Sequence, residues 1–411
     1  MTYKYKLLWG VSVIGIFFET YRQFMSYFFF LRSYIYFLLW FFLSFVFISH
    51  FLKKINYIPV FVFLIVVLLY ILREGDYENI NSFSRLISLA VSYMIIPTVC
   101  LYYIKYCTIR QISVCLCIIL IVTTYTMICT IPVALFQPGL IREAAGKTVE
   151  LYQQLELLGV MNYALPHSVV FIIPALCFGI KYCRTKLYKV ICILVLIETF
   201  YIIYLGEATT PLLLGVIALI ISLIYNVHKN FKINVVRIGI VSLLLLLIMN
   251  EAVVLFLIDK IDPIFEETAF SEKTHELRTM MTYGAVKSGG DVETRQDFIN
   301  MTVSAIFENT FIGTLNSKSL GGHNYLLDIF ASIGLLGFIP FIIWLFYIIK
   351  KICFLLPNYC RFYFMLGITV FLIHALTKNI WSGEFFLYSF FILPCLLFYI
   401  SRKSTLFINI D

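Results

Sequence analysis

Apolar runs long enough to cross a bilayer recur along almost the whole of this sequence, and no other feature limits its fold as much. A helix rises ~1.5 Å per residue, so about 20 apolar residues span a hydrocarbon core of ~30 Å. Runs of this kind predict spans at 5–24, 33–52, 55–72, 84–104, 112–136, 160–180, 189–206, 210–226, 236–258, 323–349, 361–377 and 385–401. In the first, Glu19 and Arg22 interrupt a short apolar stretch, so eleven or twelve spans fit the pattern. The expected fold class is therefore all-α: a polytopic transmembrane helix bundle of about 12 spans, with one long outer loop containing short helices.

Composition agrees. Apolar residues make up 61% of the chain, against ~45–50% in a soluble domain, and mean hydropathy is +0.94. The aromatic share of 18% suits lipid-facing surfaces and interfacial belts. All eleven cysteines lie in or beside apolar runs, and Cys115-x-Cys117 is not a CxxC pair. They read as small buried hydrophobes rather than a disulfide framework or a zinc site. Lys4 and Lys6 precede an apolar run that lacks a small-residue cleavage site, so the N-terminus is expected to be a first span and not a removed signal.

Lysine and arginine in short loops set the orientation. With the N-terminus in the cytoplasm, that side carries 18 of them and the short outer loops carry 7. Both termini are thus expected inside. Three regions follow: a transmembrane bundle over 1–258 with an outer loop at 137–159, a long extracytoplasmic loop over 259–322, and a C-terminal bundle over 323–411. The 259–322 loop is the only long hydrophilic insertion, and loops of that length usually carry function.

Within and just after that loop, residues 294–337 read TRQDFINMTVSAIFENTFIGTLNSKSLGGHNYLLDIFASIGLLG. Thr294 to Asp297 has the capping-box form, which predicts a helix opening at Arg295 and ending near Glu308-Asn309, where Gly313 and the polar segment 316–319 follow. A second helix is expected from Gly322-His323-Asn324, placing His323 at the lip of a span. Helix N-termini favour anions, and an arginine adds a fork of donors matched to phosphate oxygens, so two such ends around one loop could grip a phosphate. An imidazole with an ordinary pKa near ~6.5 can act as a base towards a sugar hydroxyl, or it can simply cap its own helix. Asn324 suits either an N-cap or a substrate hydrogen bond. Asp328, on the same face one turn later, could orient Asn324, hold a sugar hydroxyl or pair with a lysine. Ala331, Gly334 and Gly337 form a small-residue stripe, read as a helix-packing surface. Glu198, His167 and His374 are scattered over separate spans and are read as packing or interfacial residues.

The order of these parts, an arginine, a helix ending in Ile-x-Glu-Asn-x-x-x-Gly, a short loop, His-Asn-Tyr-Leu and a Gly-Leu-Leu-Gly-Phe span, resembles the O-antigen polymerase and O-antigen ligase superfamily. The resemblance covers residues 294–337 and elsewhere rests on helix layout. It implies a polymerase that joins polyprenyl-pyrophosphate-linked oligosaccharide repeat units, as in O-antigen or capsule, on the outer side of the bacterial cytoplasmic (inner) membrane. It also implies catalytic roles for His323 and Arg295, substrate contacts from Asn324 and Asp328, and a flippase and a chain-length regulator as working partners. Many members carry a Ser-Gly-Ser-Arg-Thr-like phrase where this chain has Leu205-Gly206-Glu207-Ala208-Thr209, so Ala208 stands at the pyrophosphate arginine's position. Arg142, Arg278 or Lys147 could supply that charge. An O-antigen ligase and a polysaccharide flippase or transporter are the alternatives. No Walker motif, Rossmann glycines, metal-ligand cluster or DxD pair is present, so no nucleotide, metal or nucleic-acid partner is expected.

Overall fold

A computed structural model of the chain describes residues 3–20, 55–73, 89–137, 139–141, 154–155, 157–229, 232–237, 239, 278–279, 290–314, 324–378 and 383–404, with the main chain alone for 3–7, 18–19, 70–73 and 290–296. Every named element among them is helical. They are α1 (Tyr3–Thr20), α2 (Ile58–Arg73), α3 (89–106), α4 (Ile109–Phe136), α5 (Ala164–Tyr182), α6 (Lys186–Leu205), α7 (Thr209–Ile224), α8 (Gly290–Glu308), α9 (Tyr325–Leu355), α10 (Asn358–Thr377) and α11 (Gly383–Arg402). Six of these, α4, α5, α6, α9, α10 and α11, are long and apolar enough to cross a membrane, and α1, α2 and α7 contain shorter apolar helical stretches. The chain is a helical membrane protein. The expected span at 33–52, and all but three residues of that at 236–258, lie outside the described residues.

Burial orders the bundle. In α5 and α11, 83% and 89% of the span positions are buried, against 28% in α4 and 22% in α6. The first pair therefore forms the centre, and the second pair turns a broad face outward. α11 packs against α3, α4, α5 and α10, while α2 lies along α9.

Three spans rewind for one reason. A proline lacks an N–H and crowds the carbonyl four residues earlier, so the preceding turn must change its pitch. Pro97 follows a π turn at Val91–Ile95, Pro174 a 3₁₀ turn at Val169–Ile172, and Pro394 a π turn at Tyr388–Ile392. At Pro97 the carbonyl at stake is that of Tyr93, and it accepts the indole N–H of Trp344 from α9 at 2.7 Å in a buried contact. Around this bond the Tyr93 ring meets Phe63, Phe341 and Phe386, with centroids 4.5–5.4 Å apart, which ties α2, α3, α9 and α11 together.

α9 is broken. Gly334 has φ 57° and ψ −168°, which splits the helix ten residues after Asn324, and a break in lipid needs partners for the main-chain groups it frees. The turn after α8 provides them. Leu335 N–H donates to the Thr310 carbonyl at 2.9 Å, Leu336 N–H to the Phe311 carbonyl at 3.1 Å, and Thr314 N–H to the Ala331 carbonyl at 2.8 Å. Gly313, itself at φ 82°, lies so close that a Cβ there would strike the Ser332 carbonyl and the Gly334 nitrogen. Gly334 therefore serves a break filled by another segment's backbone, not a packing stripe, and the stripe reading is corrected at that position. Measured along α9, the plug sits ~15 Å from Asn324. Phe307, Phe311 and Ile312 on its outer side are 60–80% exposed. An apolar exposed face at that depth suits lipid.

The two ends of the bundle differ in charge. At one end, Lys181 Nζ donates to the carbonyls of Ser222, Leu223 and Tyr225 at the C-terminus of α7, Arg184 Nε to the Ser404 carbonyl at 2.9 Å, and Arg361 Nε to the Leu356 carbonyl at 3.3 Å. These cations meet the negative ends of helices. Lys105, Arg110, Lys186, Lys189, Lys350, Lys351, Arg402 and Lys403 lie in or beside the terminal turns at the same end, where no carboxylate lies among the described residues. The buried ionisable side chains His167, Asp328, His374 and Glu384 gather at the opposite end.

Candidate functional site

The polar end is built from the first turns of α5, α9 and α11, the last turn of α10, and α8. Asp328 is 4% exposed and has both oxygens engaged: Oδ1 accepts the Thr302 hydroxyl of α8 at 3.1 Å, and Oδ2 accepts the main-chain N–H of Asn324 at 3.1 Å. One carboxylate thus caps α9 and clamps α8 against it. Of the three roles open to Asp328 in the sequence, the structure shows it holding Asn324, through that residue's backbone. Asn324 occupies the N-cap position, is buried, and makes no side-chain capping bond. The next residue, Tyr325, donates its N–H to the Lys378 carbonyl at 3.2 Å, so the mouth of α9 is also tied to the end of α10.

α8 begins at Gly290, not at Arg295, so Arg295 sits more than a turn inside the helix. The capping-box reading of Thr294 is corrected accordingly. Asp291 and Glu293 supply the negative charge that the start of a helix favours, and they lie upstream of the predicted cap. Among the described residues, α9 is the helix whose N-terminus adjoins the 315–323 connection, and the start of α8 lies further from it than expected. The C-terminus of α8 falls at Glu308, as expected. Arg295 lies seven residues before Thr302, which places its backbone ~10 Å along α8 from the clamp, away from the plug. His323 and Arg142 lie outside the described residues, as does Lys147. Arg278 is described and partly exposed. Ala208 is 1% exposed at the start of α7, so its position is closed to a long cation. The neighbouring Glu207 takes a left-handed conformation, φ 49°, and its carboxylate faces Gly139.

The structure adds a group that the sequence leaves scattered. His167 Nδ1 and His374 Nε2 stand 2.9 Å apart, both rings buried, with Tyr163 edge-on to His167 and Phe385 stacked on His374. One ring donates and the other accepts, so the two tautomers are coupled. Beside Phe385, the Glu384 carboxylate accepts from the Asn162 amide at 2.6 Å. Deeper in the bundle, Thr123 pairs with Tyr388 at 3.0 Å, and the Thr124 hydroxyl donates to Glu198 at 2.7 Å. In the sequence, 207 residues separate the two histidines. The available signal was depth: each lies within about two turns of the same end of its span. An open cleft along α8, lined by Asp297, Asn300, Ser304, Glu308 and Thr314, adds amides, hydroxyls and carboxylates to this end. No group of three or more metal-ligating side chains occurs among the described residues.

No protein-family model matches the chain, and no curated protein matches it.

Proposed function

We propose that this protein is a membrane-embedded glycosyltransferase that polymerises polyprenyl-pyrophosphate-linked oligosaccharide repeat units. Its polar end faces outward and its basic end faces the cytoplasm of a bacterial cell, across about twelve spans of the inner membrane. The observation that carries the reading is the Thr302–Asp328 clamp. It fastens the helix bearing Arg295 to the mouth of α9, where Asn324 follows His323. Thr302, Asn324 and Asp328 thereby share one end of the bundle with a cleft of hydroxyl, amide and carboxylate groups suited to sugars.

In this reaction the acceptor hydroxyl attacks the anomeric carbon of the donor sugar. Polyprenyl pyrophosphate departs with the bonding pair, and the hydroxyl proton passes to His323. Direct displacement inverts the anomeric centre. Pyrophosphate is already a good leaving group, so the protein's work is to position two glycans and to stabilise the departing charge with Arg295. Asn324 and Asp328 line the mouth, and Arg142 and Arg278 are the outer-loop cations available to the pyrophosphate. No nucleotide or metal enters the scheme.

A broken helix is also a hallmark of transporters, whose breaks line a substrate cavity. Here three of the freed groups of α9 bond to residues 310–314 of the same chain, which weighs against a break that serves a transported substrate. Purified protein given lipid-linked repeat units should build a polymer ladder without nucleotide and in the presence of a chelator. Movement of those units between leaflets without any ladder would replace this reading with transport.

A further inference from the structure

We infer that a groove on the flank of the bundle binds an anionic phospholipid from the leaflet facing the basic end, with its acyl chain between α4, α6 and α11 and its phosphate at Lys403. This inference does not depend on glycosyl transfer. The groove has a cavity volume of about 210 Å³, and α5 forms its floor. Leu116 and Leu120 of α4, Val195 of α6 and Leu396 of α11 make walls of aliphatic carbon. On α6 the lining runs from Tyr188 to Ile202, which is ~21 Å of helix and most of a hydrocarbon core. α4 and α6 are also the two spans that turn most of their surface outward, so the groove opens sideways towards lipid.

Charge decides which way a lipid lies in it. The lower end holds Lys403, whose ammonium sits over the Tyr188 ring at 5.6 Å. Arg184 and Lys189 flank it: the Arg184 N–H bonds the Lys403 carbonyl at 3.1 Å, and Lys189 follows Tyr188 in the first turn of α6. Lys403 contacts a ring and Arg184 contacts carbonyls, and among the described residues no carboxylate shares this end. A phosphodiester supplies the missing negative charge, as basic recesses between spans do for anionic headgroups. The upper end is formed by Glu198, with the Thr123–Tyr388 pair beside it. A carboxylate there opposes a pyrophosphate, so a polyprenyl carrier headed the other way is disfavoured.

The test uses the full-length protein released from lipid nanodiscs into native mass spectrometry, with phosphatidylglycerol and phosphatidylethanolamine as competing probes. Phosphatidylglycerol should be retained preferentially. Lys403→Gln should weaken that retention about fivefold, the worth of one cation near a membrane surface. Val195→Trp, which fills the groove, should abolish it. Equal retention of the two lipids, indifference to both variants, or displacement of phosphatidylglycerol by polyprenyl phosphate would overturn the inference. Should Val195→Trp fail to accumulate, a photoactivatable phosphatidylglycerol on the wild-type protein should label α4 and α6 within the groove; labelling confined to other helices is equally damaging.

Discussion

The Thr302 hydroxyl and the Asp328 carboxylate meet at 3.1 Å across two helices, one inside the polar loop region and the other at the start of a long apolar span. That single contact joins the part of the chain that reads as chemistry to the part that reads as membrane. Asp328 also holds the Asn324 N–H, so its removal leaves two buried donors without an acceptor. Each such loss costs about 1–3 kcal/mol. Asp328→Ala should therefore lower the melting temperature of the detergent-purified protein below that of Thr302→Val, which leaves one buried carboxylate oxygen without its donor but keeps the Asn324 bond. Equal melting temperatures for both variants and wild type would show that the clamp contributes nothing.

The glycine pair makes a sharper demand. At Gly334 and Gly313 a Cβ meets backbone atoms that cannot swing aside, and both residues have positive φ. Gly334→Ala and Gly313→Ala should fail to yield monodisperse protein, whereas Gly10→Ala, where a Cβ meets nothing within 4 Å, should behave as wild type. Size-exclusion profiles of the three variants decide the matter.

Six of the twelve expected spans stand out among the described residues where apolar runs predict them, because length and apolarity suffice to identify such helices. Irregularities within spans were not legible in the sequence. Gly334 fits a small-residue stripe as well as a break, and only the arrival of residues 310–314 beside it separates the two. The pairing of His167 with His374 depends on how α5 and α10 lie against each other, which no local pattern encodes. The start of α8 was misplaced because a capping box at Thr294 competed with acidic residues upstream, and helix termini are the least certain feature of any sequence reading. At the clamp, the sequence marks Asp328 as a carboxylate entering a span, and which of its possible partners it takes depends on how α8 lies against α9.

The basic asymmetry makes a prediction about orientation. A cysteine introduced near Lys287 should react with an impermeant maleimide in intact cells, and one at Lys186 should react only after permeabilisation. The reverse pattern would turn the protein over and place the polar end in the cytoplasm.

Arg295→Lys keeps the charge but loses the planar fork that fits pyrophosphate oxygens. It should shorten or deplete polymer severely while membrane insertion stays normal. Long-chain polymer of ordinary yield from Arg295→Ala would remove this residue from the site.

His323→Ala separates chain extension from transport. If the imidazole takes the acceptor proton, cells should still display single repeat units, because translocation and attachment belong to other proteins. A complete lack of surface glycan, with lipid-linked units held on the cytoplasmic side, is the signature of a blocked transporter instead.

The plugged break in α9 bears on how the protein is made. Leu335 and Leu336 take their hydrogen-bond partners from residues 310 and 311, which leave the ribosome earlier and, in the proposed orientation, must already have crossed the membrane. The leading third of α9 is thus not an autonomous insertion unit. It can settle only when α8 comes back to meet it from the far side, and the translocation machinery must hold or release the two as one hairpin. Cutting the chain within 315–323 and co-expressing the halves would leave all three plugging bonds and the Asp328 clamp available, so such fragments carry the information needed to find each other.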